Sequence, residues 1–430
     1  MKNNNKQITL SKEQINAVMT LYSSGKINEA IVAIKTLNEE FHNVPLLFNI
    51  LGACYQSLKQ FDASIQMFET ALSLKPDYAE AHFNLGVILR VSGRPNLAVE
   101  SYKKAIALLP NYLGAHNNLG NALKQMGQLE EAVVSYQNAI AIKPDYAEAY
   151  NNLGITFMIL GKLDEAVKSY ESAISINTEY YDAYFNLANA FSDKAARRVD
   201  KRRHKAFKSY QHAYKIEPNA DYILGNMLFA MIHLCIWDGL LVHLKELTKK
   251  INKNQKTTGP FALMALIDDP KLQRKVTEIY ANDKFPISNL LPKIEHYPKH
   301  KKIRIGYFSA DFHNHATMHL MAELFECHDK NSFELIAFSF GPDQQDKWRK
   351  RVLVSFDEFI DVSLKSNEEV SILSREMEID IAIDLKGYTQ DCRPGIFAKR
   401  AAPIQVSYLG YPGTMAVDYM DYLIADPTLI

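Results

Sequence analysis

The 430-residue sequence has little of what breaks or staples a chain: 18 glycines, 16 prolines and 4 cysteines. So few breakers argue against bulk disorder and for long helices. Cys54, Cys235, Cys327 and Cys392 lie far apart with no CxxC pair. That suits reduced thiols in a cytoplasm better than a disulfide framework or a thiolate zinc site. Neither charge is in excess, 49 Lys+Arg against 49 Asp+Glu, so a generally cationic nucleic-acid binder is excluded. No run reaches the ~18 apolar residues of a membrane span, and MKNNNKQITL lacks the apolar core of a signal peptide. GxGxxG and GxxxxGK[ST] are missing as well, leaving a dinucleotide fingerprint or a Walker-type ATPase without support. The expectation is a soluble cytoplasmic protein with no nucleic-acid or membrane partner. At roughly 100–200 residues per domain it has two or three domains.

What the first half does have is a repeat. Leu-Gly recurs at Leu51-Gly52, Leu85-Gly86, Leu119-Gly120 and Leu153-Gly154, then as Leu187-Ala188. Gly93, Gly127 and Gly161 keep the same interval, as do Pro76, Pro110 and Pro144. Ala98, Ala132 and Ala166 precede Tyr102, Tyr136 and Tyr170 by one helical turn. A period of about 34 residues with these letters is the tetratricopeptide pattern of two helices per repeat. Small residues sit where helices cross, aromatics fill the space left, and the prolines close each unit. Six repeats are expected, the sixth lengthened so that Ala206 and Tyr210 come 40 positions after Ala166 and Tyr170. Because one unit cannot bury its own apolar face, the units stack into a superhelix with a concave groove.

Asn84, Asn118, Asn152 and Asn186 recur at one position of the first helix. Carboxamides both donate and accept, so this column suits holding an extended peptide by its backbone; the alternative is bonding between repeats. The basic run from Lys194 to Lys205 has no aromatic residue to stack a base and reads as a solvated helix extension rather than a docking patch.

The expected domains are 1–221 (repeats), 222–300 (a packed helical transition) and 301–430 (an α/β lobe). In the lobe, apolar runs at 303–309, 333–340, 358–363, 379–385, 404–410 and 422–426 alternate with helix-length stretches at 317–328, 344–355, 367–378 and 394–400. That alternation implies a mostly parallel, Rossmann-like sheet covered on both faces. Ligands of such sheets sit beyond the strands' carboxyl ends. Those ends carry Asp311-Phe312-His313-Asn314-His315, then Asp384, Gly387, Tyr388 and Thr389, then Gly410-Tyr411-Pro412-Gly413-Thr414. Glycines admit close backbone approach, and exposed N–H groups with Thr hydroxyls suit sugar hydroxyls or phosphate oxygens. His315, in a loop beside Asp311, suits proton transfer or polarisation near neutral pH. His319 falls in an apolar helical stretch and reads as packed. The His313, His315 and His319 spacing is not HExxH, so no metal is expected.

The stretches 309–320 (SADFHNHATMHL), 384–415 (DLKGYTQDCRPGIFAKRAAPIQVSYLGYPGTM) and 421–426 (DYLIAD), behind tetratricopeptide repeats, resemble the bacterial protein O-linked N-acetylglucosamine transferases and their SPINDLY-like members. The resemblance implies an α plus α/β chain, a repeat superhelix followed by the N-terminal half of a GT-B glycosyltransferase. It implies inverting, metal-independent transfer of N-acetylglucosamine from UDP-GlcNAc to Ser or Thr of proteins held in the repeat groove, with no cofactor. His315 and Asp311 fall on active-site positions, Asn314 beside them. Thr317, Leu409, Gly410 and Pro412 fall on the sugar-donor pocket, with Thr389, Arg393, Gly413 and Thr414 in the matching motifs. Ala316 stands where the family often has Pro, which loosens that loop. In the family a second lobe follows and makes most uridine and diphosphate contacts, so the 430 residues alone are expected to bind UDP weakly. A repeat scaffold acting by protein contact alone, or a transferase of another nucleotide sugar, are the competing readings.

Overall fold

The computed structural model describes residues 10–192, 199–288, 291–294 and 297–425. Residues 194–198 of the basic run and Asp426 of the last expected strand lie outside the described residues. The chain divides into two compact units, 1–209 and 210–430.

The repeats form helix pairs: α1 (Lys12–Ser23) with α2 (Ile27–Glu40), α3 (Pro45–Ser57) with α4 (Phe61–Leu74), α5 (Ala79–Val91) with α6 (Pro95–Leu108). They continue as α7 (Leu113–Gln125) with α8 (Leu129–Ile142), α9 (Ala147–Ile159) with α10 (Leu163–Ile176), and α11 (Tyr181–Ser192) with α12 (Val199–Ile216). The Leu-Gly glycines sit where the sequence places them, at the crossings. A Cβ on Gly86, Gly120 or Gly154 would stand 2.6 Å from the ring of Tyr102, Tyr136 or Tyr170. Those rings and Phe68 are among the largest fully buried side chains. Each ring thus fills a slot that glycine leaves open, which fixes the helix spacing in those repeats. The second glycines, Gly93, Gly127 and Gly161, have open space around them but φ of +80°, +76° and +70°, the left-handed turn between paired helices. His82 and His116 bond through Nε2 to the carbonyls of Pro76 and Pro110 at 2.9 and 2.8 Å, tying the inter-repeat turns to the next helix.

The second unit begins inside α12 rather than at residue 221. The end of that helix is held from further down the chain: Tyr214 donates to Glu246 at 2.8 Å, and Lys250 to the Pro218 carbonyl at 2.6 Å. The transition is helical, α13 (Ile223–His233), α14 (Leu240–Asn252), α15 (Pro260–Leu266) and α16 (Pro270–Lys284).

The sheet comes next, with β1 (Ile303–Ser309), β2 (Phe333–Ser339), β3 (Glu358–Asp361), β4 (Ile381–Asp384), β5 (Ile404–Tyr408) and β6 (Tyr422–Ile424) in the order β3-β2-β1-β4-β5-β6. All five pairings are parallel. Between them run α17 (Ala316–Cys327), α18 (Lys347–Ser355) and α19 (Asn367–Glu376). The helix expected at 394–400 is only the 3-10 turn Phe397–Lys399, since Pro394 and Gly395 disfavour a longer one. Both faces are covered. Tyr307, Phe312, Met318 and Phe325 pack on one, and Phe308, Phe338, Val370 and Phe397 on the other. The chain works outward from β1 through β2 to β3 and then returns to β4. The β1/β4 neighbours are therefore the topological switch point, where the crevice for a ligand opens.

Candidate functional site

The carboxyl ends of β1 and β4 meet at an ion pair. Lys386 Nζ lies 2.8 Å from Asp311 Oδ2, with the side chains only 5% and 9% exposed. The same Asp311 oxygen accepts from Thr317 Oγ1 at 3.4 Å and lies 3.4 Å from His315 Nδ1. His315 is the N-cap of α17, and its Nδ1 accepts the Thr317 backbone N–H at 3.2 Å, with Thr317 Oγ1 at 3.0 Å. The helix start thus fixes the imidazole with a side-chain cap of an unusual kind, an sp² nitrogen in place of a hydroxyl or carboxylate. The ring remains 44% exposed while its polar neighbours are buried. Asp311, His315 and Thr317, singled out in the sequence, come together; Lys386 completes them and was not singled out.

Beneath Lys386 the turn is held by Asp384, which accepts the amides of Lys386 and Gly387 at 2.9 and 3.1 Å. Burial pushes its carboxyl up to about 6, against the two N–H bonds and the Lys386 charge. Thr389 Oγ1 donates to the Lys386 carbonyl at 2.9 Å. Gly387 has φ +53°, and a Cβ there would meet that of Tyr411 at 2.3 Å. A Cβ on Gly410 would stand 1.9 Å from the Leu385 carbonyl oxygen. The loops after β4 and β5 therefore touch backbone to backbone.

The loop after β5 exposes Leu409 (φ +65°), Pro412 and Thr414, with Gly413 half-buried beside Tyr411. Several amides expected to face a ligand are used internally: those of Lys386 and Gly387 by Asp384, and that of Gly410 by the Tyr408 carbonyl at 2.8 Å. Thr414 Oγ1 accepts the Ala416 amide. The amides of Gly413 and Thr414 enter no hydrogen bond among the described residues.

Two residues are placed elsewhere. Arg393 gives its guanidinium to Asn367 Oδ1 and to the carbonyls of Val362 and Lys365, and stacks over Phe340, so it clamps the loop after β3 and is not brought to the cluster. Asn314 turns toward α18: its amide donates to Asp346 and its Oδ1 lies 3.1 Å from His319 Nε2. His319 is exposed against Trp348, 4.2 Å between ring centroids, not packed in the core.

In the repeats, Asn84, Asn152 and Asn186 donate through Nδ2 to Oδ1 of Asn49, Asn117 and Asn151 in the preceding repeat, at 3.0, 3.1 and 3.0 Å. The fourth, Asn118, finds Phe83 at the corresponding position, which cannot accept, and bonds to the Gly114 carbonyl in its own helix. Three of the four thus bond between repeats, each through its amide donor. The extra asparagines that precede the column, Asn117 and Asn151, were the signal for it.

Residues 287–429 match the model of glycosyl transferase family 41, and four overlapping stretches from 52 to 194 match the TPR repeat. Helices α4 to α11 thus lie in the stretch similar to TPR repeats, and the parallel sheet lies in the stretch similar to family 41 glycosyl transferases. It is 32% identical over 215 residues to the probable UDP-N-acetylglucosamine–peptide N-acetylglucosaminyltransferase SEC of Arabidopsis thaliana, a match covering 46% of this chain and 22% of the relative. Over 127 residues it is 37% identical to the UDP-N-acetylglucosamine–peptide N-acetylglucosaminyltransferase of Caenorhabditis elegans, covering 29% of this chain and 11% of the relative. The chain thus spans about a fifth or less of these relatives' length. Among solved structures, a mutant Thermobaculum terrenum O-GlcNAc transferase aligns with TM-score 0.35 at 20% identity, over 81% of this chain and 53% of the other. The Asp311–His315–Thr317–Lys386 cluster lies wholly within the stretch that matches family 41. No helix among the described residues is long and apolar enough to cross a membrane.

Proposed function

We propose that the family 41 domain belongs to a protein O-glycosyltransferase that moves N-acetylglucosamine from UDP-GlcNAc to Ser or Thr of proteins held by the repeats. The observation that carries this reading is the buried Asp311–Lys386 pair presenting a capped, half-exposed His315 at the switch point of that domain. In the proposed reaction the acceptor hydroxyl attacks the anomeric carbon from the face opposite the diphosphate. The new C–O bond forms as the bond to phosphate breaks, UDP leaves with the electron pair of that bond, the hydroxyl proton passes to the departing diphosphate or to water, and configuration inverts without a metal. Such a step needs an oxygen held in line and charge stabilised on the leaving group. His315 is suited to the first task, and Pro412, Gly413 and Thr414 to meeting the sugar. The four unpaired cysteines fit a reducing compartment, and the reading places the reaction in the cytoplasm.

Incubation with UDP-GlcNAc and Ser/Thr peptides is expected to add one N-acetylhexosamine, read by mass spectrometry. Addition from GDP-fucose or UDP-glucose instead would overturn the donor. Peptide binding with no transfer from any nucleotide sugar would favour a scaffold.

The repeat ladder has its own test. Replacing Asn84, Asn118, Asn152 and Asn186 together by Ala is expected to weaken acceptor-peptide binding. Asn84→Ala, Asn152→Ala or Asn186→Ala alone should each also lower stability by about 0.5–1.5 kcal/mol through a lost inter-repeat bond. Asn118→Ala, with no such bond, should weaken binding at nearly constant melting temperature. Unchanged peptide affinity in the fourfold variant would leave the column a purely structural device.

A further inference from the structure

Lys386 sits where the sequence offers no reason for a buried cation. It comes directly after an apolar strand, and its partner Asp311 lies 75 residues earlier in the chain. The atom it touches, Asp311 Oδ2, is the same atom that faces His315 Nδ1 and receives the Thr317 hydroxyl. His315 Nδ1 therefore has two competing uses. As an acceptor it caps α17 through the Thr317 amide, and the neutral ring then carries its proton on Nε2. As a donor it would turn to the Asp311 carboxylate and give up the cap. The net charge at Asp311 decides between them, because an uncompensated carboxylate at that distance draws a proton onto Nδ1.

We propose that Lys386 is a positioning residue that neutralises Asp311 and thereby holds His315 as the neutral Nε2–H tautomer. What the exposed ring then offers is an N–H donor toward an oxygen rather than a lone pair seeking a proton. The catalytic meaning of this rests on the glycosyltransferase reading above; the tautomer does not. Among the described residues, the groups near the ring come from several elements. Asp311 comes from the end of β1, Lys386 from the loop after β4, and Thr317 from α17. His313, in the same loop as His315, has its ring centroid 5.9 Å away. Asp346, at the start of α18, is occupied by the amides of Asn314, Trp348 and Arg349.

The test is long-range ¹H–¹⁵N NMR of the histidine-labelled 430-residue chain across a pH series. In the parent, neutral His315 is expected to carry its proton on Nε2. In Lys386→Met the ring should hold its second proton to a pH about one unit or more higher, a roughly tenfold change in the charged fraction at fixed pH. Lys386→Arg should restore the parent profile, and adding Asp311→Asn to Lys386→Met should abolish the rise. If Lys386→Met fails to fold, Asp311→Asn alone carries the test. It leaves the ammonium without its partner and should move protonation to lower pH. The signals of His82 and His116, in the repeats, serve as controls that should be the same in parent and variants. An Nδ1–H tautomer in the parent, or an unaltered profile in both single variants, would overturn the proposal. None of these signals requires sugar transfer, so failure of the glycosyltransferase reading would be seen separately, in the transfer assay.

Discussion

Replacing His315 by alanine is expected to cut sugar transfer about 10²- to 10⁴-fold while peptide affinity stays within a factor of about two. The imidazole is the one polar group of its cluster that remains substantially exposed, whereas Asp311, Thr317 and Lys386 are buried behind it. Removing it deletes the group that can meet a reacting oxygen and also the α17 cap, since Nδ1 receives the Thr317 amide. Cap loss costs about 1 kcal/mol and is far too small to unfold the lobe, so the rate should fall in a folded protein. His315→Asn separates the two roles, because a carboxamide can cap the helix but does not reproduce the ring. It should recover stability and leave the transfer defect. The measurements are turnover with UDP-GlcNAc, acceptor-peptide binding by anisotropy, and thermal unfolding. Turnover within about threefold of the parent would remove His315 from the catalytic machinery.

The second large effect is expected at a glycine. Gly410→Ala places a Cβ 1.9 Å from the Leu385 carbonyl oxygen, 2.4 Å from its carbon and 2.7 Å from the Lys386 nitrogen, all backbone atoms that no rotamer change can move. The loop after β5 must separate from the turn after β4. The expected cost is about 3 kcal/mol or more, at the upper end for overpacking, with a melting temperature lower by roughly 6–12 °C. Gly413→Ala is the control. Its Cβ would meet the Tyr411 hydroxyl at 2.7 Å and Met264 Sδ at 2.9 Å, both ends of side chains able to shift. A Gly410→Ala protein melting within a degree of the parent would show that the two loops do not touch in solution. Because the displaced turn carries Lys386, the same substitution should also disturb the His315 signals.

Much of this architecture is legible in the letters because its causes are local. The repeat glycines and tyrosines report a steric slot that recurs each time two helices cross, so spacing alone reveals it. Parallel strands buried on both faces read as near-continuous apolar runs, and the run at 303–309 coincides with β1. The site is legible only in part. Asp311 and His315 share one loop, and their proximity survives in the spacing. Lys386 does not announce itself, since a lysine after an apolar run ordinarily marks a chain emerging into water, and only the return from β3 to β4 brings it beside β1. Arg393 misled for the opposite reason: it stands inside a distinctive motif, yet its donors are consumed by carbonyls of a neighbouring loop. His319, in an apolar helical stretch, lies on the one face of α17 that the sheet does not cover.

The transition helices change where the α/β lobe begins. Tyr388 and Tyr411, on the loops that carry the site, are covered by Tyr280 and Phe285 from the end of α16, with ring centroids of Tyr388 5.7 and 6.1 Å from theirs. Met264 of α15 joins the same cluster. The family 41 match starts at 287 and the first strand at 303, yet a polypeptide cut at either point would expose an aromatic floor directly behind the switch-point loops. As a piece that can be inherited, exchanged or expressed intact, the lobe begins upstream of α15, and the segment that looks like a connector belongs to the α/β half of the chain.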